Sequence, residues 1–173
     1  MTWQVLIDSL IASKEVWFYL GGFLTIYALY QLAIRYYHRA RLKKSGIDEI
    51  DQMKGETFED YLKLLFESQG YKVLLTPKTG DYGADLILKK GQQKIVVQAK
   101  RYKKNVGIKA VQEVTGAKEY YHATAAWVVT NQDYTQPAIK LAKANRVTLI
   151  GRKQLIDQMI IFNQQEKLIT DIK

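Results

Sequence analysis

Ala84 to Lys100 reads A-D-L-I-L-K-K-G-Q-Q-K-I-V-V-Q-A-K, two apolar runs separated by a Lys90-Gly91-Gln92-Gln93 break. Ala84 to Leu88 predicts one strand and Lys94 to Lys100 a second, joined by a tight turn into a hairpin. Ile95-Val96-Val97 is a continuous apolar run, as a buried strand requires. It leads into the polar, basic cluster Gln98-Ala99-Lys100-Arg101-Tyr102. Strand side chains alternate between faces, so Gln98 and Lys100 share one. Asp85 opens the partner strand, and cross-strand neighbours can bring an acid and a lysine within several ångströms.

That constellation has a chemical meaning. An acid, a second oxygen ligand and a lysine describe a hard-cation site for phosphodiester hydrolysis. The cation offsets phosphate charge, and the lysine orients water and stabilises the anionic transition state. The plain alternative is a solvated hairpin with an exposed charge pair, and spacing alone leaves it open. The loop Gly80-Asp81-Tyr82-Gly83 before Asp85 does not match a phosphate-cradling motif, and no nucleotide cofactor is evident. Asp81 suits a turn-shaping role through its side chain.

Outward from the hairpin, helical and strand patterns alternate. Phe58, Tyr61, Leu62, Leu65 and Phe66 form an amphipathic helical stripe. Thr57 with Asp60 predicts its N-terminal cap and Gly70 its stop. Tyr71 to Leu75 reads as a strand, and Pro77 to Gly83 as a loop. After the hairpin, Gly107 to Tyr121 carries Ile108, Val111, Val114, Thr115 and Lys118 at helical spacing. Ala125 to Thr130 is a buried strand, and Gln136 to Ala144 a helix with Pro137 in its first turn. Val147 to Ile150 is a short strand and Arg152 to Phe162 a closing helix. The order α-β-β-β-α-β-α-β-α predicts an α/β fold, a mixed sheet covered by helices with an antiparallel hairpin built in.

The front of the chain is different. Val16 to Ile34 is a run of 19 residues without a charge. About 20 apolar helical residues span the hydrocarbon core of a bilayer. Trp17, Phe18 and Tyr19 at one end and Tyr36 and Tyr37 at the other suit the two interfaces. A cleaved signal peptide would have a shorter apolar region with positive charge before it. Here Asp8, Lys14 and Glu15 precede the run, and no small-residue cleavage site follows. The reading is an uncleaved single-pass anchor in a bacterial-type inner membrane. Arg35, Arg39, Arg41, Lys43 and Lys44 follow it, which puts the rest of the chain in the cytoplasm and those residues against anionic lipid headgroups. The expected division is a short segment at 1–15, a transmembrane helix at 16–37, a basic linker at 38–54 whose Lys44 to Lys54 part reads as linker or short helix, a catalytic-type domain at 55–162 and a tail at 163–173.

Composition narrows the function classes. The 173 residues carry 26 Lys+Arg against 17 Asp+Glu, a net charge of +9, which favours polyanionic partners. Cysteine is absent, so disulfides, Cys-based zinc sites and thiol catalysis are excluded. His38 and His122 have no ligand partner at metal spacing, and Tyr120 and Tyr121 suit packing better than base stacking.

Several ordered motifs together resemble one family. They are Phe58-Glu59 with Leu65; Gly70-Tyr71-Lys72-Val73; Thr79-Gly80-Asp81-Tyr82-Gly83-Ala84-Asp85-Leu86; Val97-Gln98-Ala99-Lys100-Arg101-Tyr102; Val111-Gln112-Glu113-Val114 with Gly116-Ala117; and Val128-Val129-Thr130-Asn131. Over residues 55–157 the chain resembles the Mrr-type restriction endonuclease catalytic domain, of the PD-(D/E)xK nuclease superfamily. The resemblance implies the superfamily's α-β-β-β-α-β core, DNA as substrate and Mg²⁺ or Mn²⁺ as cofactor. It implies Asp85 as the metal-binding acid and Lys100 as the catalytic lysine. Gln98 stands where most of the superfamily has Asp or Glu, a Q-x-K form common in this branch. Its amide oxygen is a weaker ligand than a carboxylate. Glu59 matches the family's acidic position on the first helix, and the Ala99 carbonyl its customary backbone ligand. Gln112 resembles a site-lining residue.

Each assignment has a plainer counterpart: Glu59 a first-turn acid favoured by the helix dipole, Gln112 an exposed helix residue. Arg101, Lys103, Lys104 and Lys109, with Lys78, Lys89 and Lys90, form either a phosphate-tracking DNA surface or a solvated basic face. The expectation is a membrane-anchored, metal-dependent DNA endonuclease that restricts foreign or modified DNA, as the resemblance implies, with a homodimer suited to cutting both strands. The competing readings are a membrane-tethered DNA-binding module that keeps the fold without catalysis, and a lipid-surface protein.

Overall fold

The computed structural model describes residue 3 and residues 14–77, 80 and 82–171. Met1, Thr2 and residues 4–13, with Lys78, Thr79, Asp81 and the last two residues, lie outside the described residues. The expected roles of the N-terminal segment, of Lys78 and of Asp81 fall there. The chain divides into two compact units, Met1–Arg41 and Leu42–Lys173.

The first unit is dominated by one helix, α1 (Lys14–Lys43, 30 residues). At 1.5 Å per residue it is about 45 Å long. Within Val16–Lys43 an 18-residue window reaches a mean hydropathy of 1.3, and the helix is long and apolar enough to cross a membrane by length and composition. Phe18, Phe23, Ile26, Leu29, Tyr30 and Leu32 are all exposed. Its apolar window therefore has no buried residue, while the end of the helix carries Arg35, Arg39, Arg41 and Lys43 and buries Leu42.

The second unit holds the expected elements. They are α2 (Ile47–Ile50), α3 (Gly55–Ser68), β1 (Lys72–Leu75), β2 (Leu86–Lys90), β3 (Gln93–Lys100), α4 (Ile108–Tyr120), β4 (Ala125–Thr130), α5 (Gln136–Asn145), β5 (Val147–Ile150) and α6 (Arg152–Asp171). The five strands lie in sequence order in one sheet. β1, β2 and β3 are antiparallel, while β3, β4 and β5 are parallel. The hairpin turns at Gly91, whose φ of +56° suits glycine.

Two cores sandwich the sheet. On one face α3 and α6 pack Phe58, Tyr61, Leu62, Leu65, Phe66, Leu155 and Phe162 onto Leu86, Leu88, Ile95, Val97 and Ala99. On the other, α4 and α5 pack Ala110, Val111, Val114, Ala117, Ala138 and Ala142 onto Val96, Ala126, Val128 and Val147. The strand alternation of β3 thus sends its odd residues to α3 and its even residues to α4.

Several boundaries differ from expectation. α3 starts at Gly55, with Lys54 in extended conformation as its N-cap and no side-chain cap, so Thr57 sits inside the first turn. The Phe58 amide already bonds the Lys54 carbonyl at 3.0 Å. Gly70 does end the helix, at φ +84°. The stretch expected as a linker at 38–54 is structured: Leu42, Ile50 and Met53 are buried in the α3-side core. α6 continues through the expected tail to Asp171.

Asp51 ties that stretch to the sheet. Its Oδ1 accepts from Arg152 and from Asn131, each at 2.8 Å. Asn131 is fully buried, and its amide also bonds both the N–H and the C=O of Tyr102. The Arg152 guanidinium holds the Asp51 carboxyl below the usual carboxylate range. A depressed folded-state pKa adds stability that is complete above the unfolded value and is lost as pH falls through the folded one. Asp51→Asn is therefore expected to cost about 1–2 kcal/mol near neutral pH. The difference from the parent chain should close below about pH 4, checked by denaturant melts across pH.

Candidate active site

β2 begins where β3 ends. The antiparallel register pairs Leu86 with Val97, which sets Asp85 opposite Gln98 at the open end of the hairpin. Asp85 Oδ2 accepts from the Ala99 backbone N–H at 2.7 Å and from Gln98 Nε2. Gln98 is only 3% exposed, so its amide needs a partner inside the protein. Asp85 supplies one.

Lys100 shares the Gln98 face, toward α4. Its Nζ lies 3.0 Å from Glu113 Oε2, in an ion pair with 19% and 28% side-chain exposure. Its backbone carbonyl accepts from the buried Thr130 hydroxyl at 2.6 Å, locking the end of β3 to β4. Asp85, Gln98 and the Ala99 N–H are thus bonded together at this end of the hairpin, and Lys100 follows on β3 with Glu113 as its ion-pair partner.

Glu113 is the residue that sequence reasoning passed over. The large apolar residues set the expected stripe on α4, but the buried stripe is Ala110, Val111, Val114 and Ala117. Counting the two alanines rotates the inner face so that Glu113 flanks it, while Gln112 is exposed. Glu113 stands three residues after Ala110 and four before Ala117, which is the signal that could have found it.

The turn before Asp85 is held against the same helix. Gly83 has φ +90°, and a Cβ there would meet the Glu113 carbonyl oxygen at 2.5 Å. Tyr82 also has positive φ, at 51°, and its ring stacks on Tyr120 at 3.6 Å. This tyrosine contact packs the loop on α4, in line with the packing role expected for Tyr120. The Tyr120 phenol is pushed up, chiefly by its hydrogen bond with Tyr82.

The remaining expected residues are distributed unevenly. Glu59 is half-buried on α3, whose core face packs on the sheet face opposite the one carrying Gln98 and Lys100. Arg101 is half-buried and its guanidinium reaches the Asp51 carbonyl at 3.4 Å, so it is built into the fold. Lys103, Lys104 and Lys109 are exposed in and just after the β3–α4 connection, on the site's end of the sheet. Lys89 and Lys90 lie at the far end of β2, about 15 Å away, with the Lys90 ammonium bonded to the Gln69 carbonyl at 2.9 Å. Among the described residues, no group of three His, Cys, Asp or Glu side chains gathers as a metal cluster. The donor set at Asp85 is hard oxygen: one carboxylate, one amide and one backbone carbonyl. Such a set fits Mg²⁺ or Mn²⁺ that keeps several waters, and it fits zinc or copper poorly.

Residues 50–159 match the model of the Mrr catalytic-domain family, described as restriction endonucleases. Among solved structures, the chain resembles the crystal structure of a protein of unknown function, AF1548, at 15% identity and a TM-score of 0.48, over 57% of this chain and 63% of that one. It also resembles the MspJI restriction endonuclease in complex with a 27-mer oligonucleotide, at 18% identity and a TM-score of 0.42, over 78% of this chain and 30% of that one. The chain thus spans less than two-thirds of the length of either. No curated protein matches it.

The close approach at Gly83 makes a stability prediction. Gly83→Ala adds a clash with immovable backbone to an unfavourable φ, and is expected to cost about 2–4 kcal/mol. Gly80→Ala, at φ +76° with open space around the new Cβ, should cost about 1 kcal/mol. Thermal melts of the two variants side by side isolate the contact with α4.

Proposed function

The chain belongs to the Mrr-type restriction endonuclease family, and from that premise we propose that it is a membrane-anchored, divalent-metal-dependent DNA endonuclease. The observation that carries the reading is the convergence of Asp85, Gln98, Ala99 and Lys100 at one end of the β2–β3 hairpin. Asp85, the Gln98 amide oxygen and the Ala99 carbonyl would hold Mg²⁺ or Mn²⁺; Glu59, which the family resemblance offers as a further acid, stands on the helix that packs against the other face of the sheet. When bound, the cation offsets phosphate charge and favours ionisation of water.

The protein's own groups do the rest. Lys100, two residues beyond Gln98 on the same face of β3 and paired with Glu113, would orient the attacking water and stabilise charge developing on the phosphate. Thr130 fixes the backbone from which Lys100 projects. Lys103, Lys104 and Lys109 are free of the core and suit phosphate contacts that position a duplex without reading its sequence. Arg101 and Gln112 belong to the same rim, Arg101 through the fold as much as through DNA. Any preference for modified or foreign DNA arises from loops, DNA shape or a partner. A homodimer would suit cleavage of both strands.

The membrane part rests on α1. Its length and its uncharged, mostly apolar run over 16–34 suit a single span at residues 16–37 with aromatic rings at both interfaces. Arg35, Arg39, Arg41, Lys43 and Lys44 then face the cytoplasm, with the nuclease domain beyond them.

One observation favours a second reading, a tethered DNA-binding module without catalysis. Gln98 is neutral, and no cluster of three metal-ligating side chains is present among the described residues. Plasmid cleavage separates the two. The full chain in detergent, incubated with methylated and unmethylated plasmid in Mg²⁺, Mn²⁺ or EDTA, is expected to nick DNA only with metal. Asp85→Ala and Lys100→Ala should each lower the rate about 100-fold or more while keeping salt-sensitive binding. Binding without nicking in any metal would replace the enzyme with the tether.

A further inference from the structure

We infer that Glu113 is the positioning residue of the site: its carboxylate holds the Lys100 ammonium while its backbone seats the Gly83 turn that carries Asp85. This rests on the nuclease reading above and adds a residue to it.

Two independent contacts meet at Glu113. The first is the 3.0 Å ion pair with Lys100. Oε2 is buried and makes no aligned hydrogen bond, so charge pairing with Lys100 is what compensates it. Lys100 needs such a partner, because a long lysine side chain otherwise spreads over many rotamers. The other oxygen lies 3.8 Å from Lys109, whose side chain is 87% exposed and contributes little. The second contact is steric. Gly83 rests on the Glu113 carbonyl, carbon and Cα so closely that no Cβ fits. Asp85 follows two residues later. One turn of α4 thereby sets the acid-bearing loop on its backbone and the lysine on its side chain.

An ion pair that only stabilises the fold would change melting and leave turnover alone. A positioning residue changes turnover, because a displacement of about 1 Å in a reacting group can cost about 100-fold. The test uses the full chain in detergent as wild type, Glu113→Gln, Glu113→Asp and, as a control on the same helix, Glu119→Ala. Lysine amines are pulse-labelled with an acetylating reagent and read by mass spectrometry, and kcat and KM are measured on plasmid with Mg²⁺.

For Glu113→Gln the expected result is about fivefold faster labelling at Lys100. Its kcat should fall about 10- to 100-fold with little change in KM. Glu113→Asp should recover part of both effects, and Glu119→Ala should match wild type. Unchanged Lys100 labelling and unchanged kcat in Glu113→Gln would overturn the assignment. If the wild type cleaves nothing, the nuclease reading fails separately and labelling alone decides: faster labelling keeps Glu113 as the partner that holds Lys100, and unchanged labelling removes it.

Discussion

β3 is buried on both faces, and every polar group at its C-terminal end must therefore find a partner inside the protein. An unsatisfied buried amide or carbonyl costs on the order of 1–3 kcal/mol. Most of these polar groups have one. Gln98 and the Ala99 N–H go to Asp85, the Lys100 carbonyl to Thr130, the Lys100 ammonium to Glu113, and both backbone groups of Tyr102 to Asn131. The candidate site is the place where this requirement is met by side chains that also have chemistry to offer.

The sheet's change of direction explains why these partners are available. β3 runs antiparallel to β2 and parallel to β4. The start of β2, the ends of β3 and β4 and the start of α4 consequently come together at one end of the sheet. The opposite end gathers Lys89, Lys90 and Lys94 without an acid between them in the β2–β3 register. Basic charge alone could not have distinguished the two ends. The Asp85 position does, because only at the open end of the hairpin does an acid face the polar residues of β3.

Most of this was legible in the sequence, for reasons that can be named. The strands over Ala125–Thr130 and Val147–Ile150 match their expected bounds, because apolar runs closed by polar or glycine residues leave little freedom. The cross-strand meeting of Asp85 with Gln98 followed from a hairpin whose turn is marked by Gly91. What was not legible depended on small or distant residues. Ala110 and Ala117 rotated the inner face of α4 and brought Glu113, not Gln112, to Lys100. Leu42, Ile50 and Met53 joined the core through contacts far along the chain, which no local period announces. Arg101 looked like a free cation in a basic run, but the carbonyl of Asp51 holds it.

Gln98 is intelligible in the same terms. A carboxylate at that position would place a second negative charge against Asp85 in a buried corner, and two such groups resist joint ionisation. The amide instead donates to Asp85 and satisfies it without a cation. The arrangement is thus self-consistent without a bound ion, and the amide would be a weaker metal ligand than a carboxylate. Glu113 does not restore the missing charge, because Lys100 already balances it. The acid-poor corner and the paired lysine are two sides of one arrangement, in which hydrogen bonding inside the protein does work that a bound ion would otherwise have to do.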